Sequence, residues 1–341
     1  MTIRSLVPLI KLYNSIVFII GFAVLCSFPA AAQQINFASV ALKGTTPINV
    51  MEKLSAEVAE RTGNKVTFRI YAGNQGDEGD ILSKMRRGRI HAAGFTGRGL
   101  GEILPEMRVM EIPFLFKNYD EVDYVIDKLY DRFARTIENN GFVLLGWAEA
   151  GFVHFFSTKR IESYSDLKGV RMWTWQGDPL AEAMFKALGV VPNPLPLTDV
   201  ATSLQTGLID AVYVPPYHAI ALQWAQKAKY VNNLPVTNAA GAVVMLKNKF
   251  DSLSPDHREI LLQSSRKWLK ELVELTRKDN EIAMNGLQKI GIEIVPAPTN
   301  GDLQVFLDAG LEVQKEMVGV LYTDDLLNDV LSYLQEYRSG R

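Results

Sequence analysis

The chain has 341 residues, with 36 Lys and Arg against 38 Asp and Glu, a formal net charge of -2, and 48% hydrophobic residues. That length suffices for two cores. Near-neutral charge without a basic stripe argues against a nucleic-acid partner, and a single cysteine excludes an internal disulfide.

Arg4 and Lys11 precede an apolar run at 16–28, IVFIIGFAVLCSF, followed by Pro29-Ala30-Ala31-Ala32. This pattern predicts a secretory signal peptide over 1–32, cut after Ala32, and a periplasmic mature protein. The run is shorter than the roughly 20 residues of a spanning helix. Cys26 lies inside it, and Val24-Leu25 are not the small residues that lipidation of Cys26 requires. The mature chain is therefore expected to lack cysteine.

Residues 35–42 read as a short buried strand, and 43–47 as a loop. Thr45 or Thr46 caps a helix with Pro47 near its start, and Val50, Met51, Leu54 and Val58 form its apolar stripe. NKVTFRIY alternates as a strand, and DEGDILSKMRRGRIHAAGF reads as helix, glycine stop and strand. GFVLLGWAEAG and FVHFFS are strand-like, SDLKGVRMWTW is a turn and strand, and PLAEAMFKALGV is a helix with a glycine stop. In TDVATSLQTGLIDAVYV, Thr198 caps a helix that Gly207 ends before a further strand. From Ser254, with Pro255 and Asp256 in the first turn, helical spacing persists to about Ile290. Such a helix is on the order of 50 Å long, more than one small domain, so it is expected to lie across two. Strands alternating with helices predict an α/β protein with mostly parallel sheets.

No catalytic or cofactor motif stands out. The four histidines, His91, His154, His218 and His257, show no helical zinc spacing, and no nucleophile elbow or phosphate loop occurs. The glycine-rich GFTGRG at 94–99 fits neither nucleotide fingerprint and reads as a strand-to-helix turn facing a cleft. GNQGDEGD at 73–80 lacks the calcium-loop pattern.

Several segments together resemble the DctP-type extracytoplasmic solute-binding subunit of TRAP transporters. They are ILSKMRRGRIHAAGF with LPEMRVMEIPFLFKNYDEV, IESYSDLKGVRM, ALGVVPNPLPLTDVATSLQTGLIDA and the long C-terminal helix, from about residue 35 to about 320. The resemblance implies a two-domain periplasmic receptor with a hinge and a helix spanning both domains. Domain I would comprise 33–150 plus about 240–278, and domain II 151–239 plus about 279–341. It further implies closure on a small-molecule ligand, docking on a small and a large integral membrane subunit, and no catalysis or cofactor.

The sequence departs from the family where members hold a ligand carboxylate. Four residues after Gly169, where an arginine is usual, stands Trp173; two other commonly polar positions read Val153 and Val214. Three losses in one direction predict an apolar cleft and a largely hydrophobic or aromatic ligand, with a monocarboxylate also compatible. Trp147, Phe152, Phe155, Trp175, Tyr213 and Tyr217 fall in segments that line the family's cleft; aromatic walls bury large apolar area and keep a polar tip. Arg171 shares a strand face with Trp173 and Trp175 by alternation, without taking the anchoring role. Lys43, Thr45, Gln75, Thr96 and Arg98 sit in loops at carboxyl ends of strands, with Arg98 the candidate for an acidic ligand group. Gln176 and Asp178 either orient a polar ligand end or close the turn before Pro179. The rival readings are an ABC-type or sensor-linked receptor, a secreted enzyme on a similar scaffold, and a lipid-binding periplasmic protein without a permease.

Overall fold

A computed structural model describes residues 32–340. The signal-peptide and Cys26 expectations lie outside the described residues. The strands, in chain order, are β1 (Gln33–Ser39), β2 (Val66–Ala72), β3 (Ala92–Thr96), β4 (Phe142–Phe152), β5 (His154–Ser157), β6 (Met172–Trp175), β7 (Pro192–Leu195), β8 (Ala211–Val214), β9 (Tyr230–Asn232), β10 (Asn238–Leu246) and β11 (Glu293–Val295).

They form two sheets, ordered β2-β1-β3-β10-β4 and β11-β9-β5-β8-β6-β7. Parallel pairing holds wherever a helix returns the chain, as for β1 with β2 and β3, and for β6 with β7 and β8. β10 runs antiparallel to β3 and β4, and β5 antiparallel to β8 and β9, so both sheets are mixed. The antiparallel members are the strands that pass between sheets. β4 runs into β5 with only Val153 between them, and β9 is followed, with five residues between, by β10 in the other sheet. The two crossings bond to each other: Val153 N–H donates to Thr237 O at 2.8 Å and accepts at its own carbonyl from Val236 N–H at 2.9 Å. Each sheet thus carries its own lobe, joined at Val153.

Local chemistry explains the elements. The helix Thr46–Arg61 buries Val50, Met51, Leu54 and Val58, the predicted stripe. Asp77 caps the helix Glu78–Arg86 in a capping box with Asp80. Thr198 does not cap the next predicted helix; it lies within the 3-10 turn Leu197–Asp199, because Pro196 fixes the backbone one step earlier, and the helix Val200–Thr206 follows. Gly207, at φ 72°, stops it.

The predicted long helix is Pro255–Gly286, extended by the 3-10 turn Leu287–Ile290, with Ser254 accepting from His257 N–H. Leu261, Leu269 and Leu272 pack against the first sheet, whereas Leu287 enters the core of the second lobe with Phe156 and Val231. Where the helix passes between lobes its polar side chains hold both. Arg277 binds Glu149 and Asp123 and stacks on Tyr119, its Cζ 4.3 Å from the ring centroid. Asn280 Nδ2 donates to Ala150 O at 2.8 Å, and its Oδ1 accepts from Tyr217 N–H at 3.0 Å.

That contact requires glycine at 151. Gly151 has φ 101°, and an added Cβ would run into the Asn280 amide and lie 3.0 Å from the Tyr119 hydroxyl. Gly151→Ala is expected to cost about 2 kcal/mol. Gly286→Ala, which meets nothing within 4 Å at a helix end, should be neutral or stabilise by up to about 1 kcal/mol. Urea unfolding of both variants checks the contrast.

Candidate functional site

Between the lobes lies a cleft of about 200 Å³. Its first-lobe wall includes Thr45, Ile48, Met51, Phe95, Thr96, Arg98, Arg108 and Glu111; the second contributes Trp173, Trp175, Asp178, Met184, Tyr213, Tyr217, His218 and Trp224. Val153, where the chain crosses between lobes, and Val214, at the end of β8, also line it.

Trp173 is the centre of the aromatic wall. It stacks on Tyr213 at 5.2 Å, meets Trp224 edge-on at 5.2 Å and lies 5.9 Å from Trp175. Its Nε1 donates to Leu195 O at 3.1 Å, so the ring's polar edge is satisfied inside the protein and apolar surface is what remains for the cleft. The residue is 2% exposed and thus serves core and cleft at once.

Polar contacts tie the walls together. Asp77 Oδ2 accepts from Trp175 Nε1 at 2.9 Å and from Leu197 N–H at 3.2 Å, across the cleft mouth. Arg98 Nε donates to Gln176 O at 3.2 Å, while its Nη1 pairs with Glu102 at 2.5 Å. Tyr217 Oη accepts from Thr46 N–H at 3.1 Å.

A buried charged cluster crosses the deeper cleft. The 3-10 turn Pro105–Glu111 places Arg108 and Glu111 side by side, since residues three apart eclipse in that helix type. Arg108 Nη2 reaches Asp178 at 2.8 and 3.0 Å, and Nε lies 2.8 Å from Glu111 Oε2. Asp178 also caps the helix Pro179–Ala187, accepting from Leu180 and Ala181 N–H. Burial works against the Arg108 charge, but Asp178 and Glu111 outweigh it and keep the guanidinium protonated. Burial pushes the Glu111 carboxyl up to about 7 despite Arg108. Glu78 is also driven up to about 7 by burial, against hydrogen bonds from Thr96 N–H, Thr96 Oγ1 and Gly99 N–H at 2.7, 2.9 and 2.7 Å.

These carboxyls explain GFTGRG. Gly97 and Gly99 do not line the cleft; Glu111 lies directly over Gly97, and an added Cβ at Gly99 would come within 2.7 Å of Glu78 Oε2 and 2.6 Å of Phe95. His218 adds an unsatisfied group. Its Nδ1 is shielded from water without a partner, and burial lowers its pKa to about 4, leaving the imidazole neutral.

The structure brings together Val153, Trp173, Trp175, Val214, Tyr213, Tyr217, Thr96 and Arg98 at the cleft. Other expected site residues lie off it, each for a physical reason. Arg171 precedes β6 and forms a bidentate pair with Asp210, at 2.9 and 2.6 Å, on the exposed edge. Trp147 points to the opposite sheet face, against Tyr130 and Phe133, while its neighbours Ala148 and Ala150 line the cleft. Phe152 packs on Tyr119 at 4.8 Å, and Phe155 on Phe185 within the core. Gln75 turns to Lys84, which donates to its carbonyl and side chain. Lys43 is exposed in its loop, and Gln176 offers Arg98 its backbone carbonyl with its side chain exposed. The sequence reading missed Arg108, Glu111 and Glu78. The signal was there: an Arg and a Glu three apart in the otherwise apolar MRVMEIPFLF announce a buried pair.

Residues 37–319 match the family described as DctP, bacterial extracellular solute-binding protein, family 7. The chain belongs to this family. Among relatives, it is similar to the 2,3-diketo-L-gulonate-binding periplasmic protein YiaO of Escherichia coli (strain K12), 27% identical over 299 residues, 86% of this chain and 89% of that protein. Among solved structures it resembles a TRAP periplasmic solute-binding protein from Xanthobacter autotrophicus Py2 with bound β-D-galacturonate, at TM-score 0.82 and 21% identity, covering 89% of this chain and 99% of that one. It also resembles the sugar acid binding protein DctPAm from Advenella mimigardefordensis in complex with galactonate, at TM-score 0.83 and 18% identity, covering 90% and 99%. At these identities the structural likeness is one of fold. The family is one of solute-binding proteins, and no described helix is long and apolar enough to cross a membrane.

The buried carboxyl of Glu78 gives a pH signature. Its folded value near 7 exceeds the ordinary 4.5, so its contribution is full below pH 4.5 and is lost as pH rises past 7. Relative to Glu78→Gln, the wild type should lose up to about 3 kcal/mol between pH 4.5 and 8. Urea midpoints across that range check this; a pH-independent difference would contradict the assignment.

Proposed function

We propose that this protein is the periplasmic solute receptor of a TRAP-type uptake system and that its ligand has a largely apolar body. The observation that carries the ligand reading is the joint wall of Val153, Trp173 and Val214 with Trp175, Tyr213 and Trp224. Such a surface gains from burying hydrocarbon or aromatic groups, at roughly 25 cal/mol per Å². Polar selection would fall to groups at the edges: Thr45, Thr96 and Arg98 from the first lobe, Tyr217 and the neutral His218 from the second.

The moving bodies we assign are 33–150 with about 240–278, and 151–239 with about 279–341, less the last helix, Asp324–Arg338, which is tied to Tyr119–Asn139 by Arg338 with Glu121 and Glu336 with Lys128 and so rides with the first body; they rotate about Val153 and its partners Val236 and Thr237. Asp77, held by Trp175 and Leu197, acts as the latch of the closed form. Closure then presents a surface to a small and a large membrane subunit, and no chemistry is done on the solute.

A second reading, a sugar acid ligand, draws on the ligands named for the relatives above and on the polar edge groups. Mass spectrometry of the molecule released from the denatured native protein separates the two. An aromatic or aliphatic species, bound 10-fold or more weakly by Trp173→Ala (about 1.4 kcal/mol or more), supports the apolar reading. A polyhydroxy acid, with affinity unchanged in that variant, overturns it. Solute uptake that requires this chain together with the membrane subunits tests the receptor role itself.

A further inference from the structure

Resting on the receptor reading, we infer that Arg108 is a ligand-binding residue: its Nη1 takes a carboxylate of the ligand at the buried end of the cleft. The guanidinium lines the cleft, yet its side chain is only 6% exposed. Two of its three nitrogens are engaged. Nη2 holds both Asp178 oxygens, at 2.8 and 3.0 Å, and Nε lies 2.8 Å from Glu111 Oε2. Nε is shut off from solvent, whereas Nη1, with no hydrogen-bond partner among the described residues, stays open to the cleft. Its two N–H groups belong to a buried cation, and leaving such donors unpaired costs more than leaving a neutral donor unpaired.

The same chain shows how a guanidinium is completed. Arg277 carries two carboxylates: Glu149 across Nε and Nη2, at 2.6 and 3.1 Å, and Asp123 across Nη1 and Nη2, at 2.7 and 2.6 Å. On Arg108 no described carboxylate takes Nη1. A ligand acid placed there makes charge-assisted bonds, roughly twice as strong as neutral ones. Two anions on one guanidinium ask the third acid beside it, Glu111, to give up its charge, and burial already pushes that carboxyl up to about 7. Of the other lining carboxyls, Glu149 is paired with Arg277 and burial pushes Glu78 up to about 7, which weakens their opposition to an incoming acid. No lysine lines the cleft, and its other arginine, Arg98, is engaged by Glu102 and by the Gln176 carbonyl. Arg108 also adjoins the aromatic wall: Tyr213, stacked on Trp173 at 5.2 Å, lies close enough to Arg108 and Asp178 to feel both charges. The ligand so selected carries its carboxylate on a body that lies against those rings, held by the first lobe at its acid and by the second along its length.

The test is isothermal titration calorimetry of the mature chain with acid and amide pairs, benzoate against benzamide and D-galacturonate against D-galacturonamide, which differ only in the group offered to Arg108. Wild type should bind at least one acid at least about tenfold more tightly than its amide. In Arg108→Lys a single ammonium remains for Asp178 and the planar fork is lost, so that preference should fall at least about tenfold, with the urea midpoint reporting folding. Should that variant fail to fold, Arg108→Gln with Asp178→Asn, which removes the cation and its counter-ion together, takes its place with the same expectation. Acid and amide bound alike by the wild type, no acid bound at all, or a preference kept in a folded Arg108 variant overturns the inference. A preference lost in Arg98→Ala but kept in the Arg108 variant overturns it too, by assigning the acid to Arg98. A chain that shows the expected preference yet supports no uptake with the membrane subunits would instead sink the receptor role and leave this inference standing.

Discussion

A guanidinium taken out of water must be matched by anions, because the desolvation cost of an unpaired buried charge exceeds what any single contact returns. Arg108, 5% exposed, imposes that condition on the centre of this molecule. One anion, Glu111, comes from its own turn; the other, Asp178, comes from the far side of the cleft. Satisfying Arg108 therefore fixes the relation of the two walls. It also places the start of the helix Pro179–Ala187, and with it the end of β6 that carries Trp173 and Trp175. The same demand reaches back to Gly97, where any side chain would occupy the volume of the Glu111 carboxyl. Removing either carboxylate alone would leave the cation underpaired, a loss of about 3–5 kcal/mol by analogy with other broken buried pairs.

Around this charged centre the cleft divides by chemistry. Its second-lobe wall is built from rings that hold one another: Trp173 against Tyr213, Trp224 and Trp175, with Tyr213 in turn edge-on to Phe185 at 5.4 Å. Interlocked rings cannot change rotamer independently, so the wall is preorganised and little entropy is lost when a ligand meets it. The tryptophan N–H groups are spent on Leu195 O and Asp77, one stabilising the lobe and the other bridging the lobes. The crossing strands and the long helix supply the complementary property. They meet at Val153, Gly151 and Asn280 through a few backbone and amide bonds, beside an apolar core in which Phe133 and Leu144 of the first lobe join Phe155, Met172 and Phe185 of the second.

Much of the fold was legible in the sequence because helix and strand periodicity is a local property. The stripe Val50, Met51, Leu54 and Val58, the Ser254-Pro255 start and the Gly207 stop each follow from spacing or from one residue's backbone preference. The mixed pairing of the sheets was not legible, since the direction in which β10 joins β3 and β4 is set by partners far along the chain. Trp173, Val153 and Val214 line the cleft, at positions that follow from neighbouring turns. Trp147, Phe152, Lys43, Gln75, Gln176 and Arg171 are not among the lining residues, because membership of the right segment does not decide which face a side chain takes. Trp147 lies one residue from Ala148, on the other side of the same strand.

The sequence by itself determined most of the elements and the family, both properties of residues and their near neighbours. Only the tertiary structure decided which charges meet. Arg108 and Asp178 are 70 residues apart, and nothing local to either announces the other. Their pairing exists only because two lobes, each folded on its own sheet, are brought together across a shared cleft.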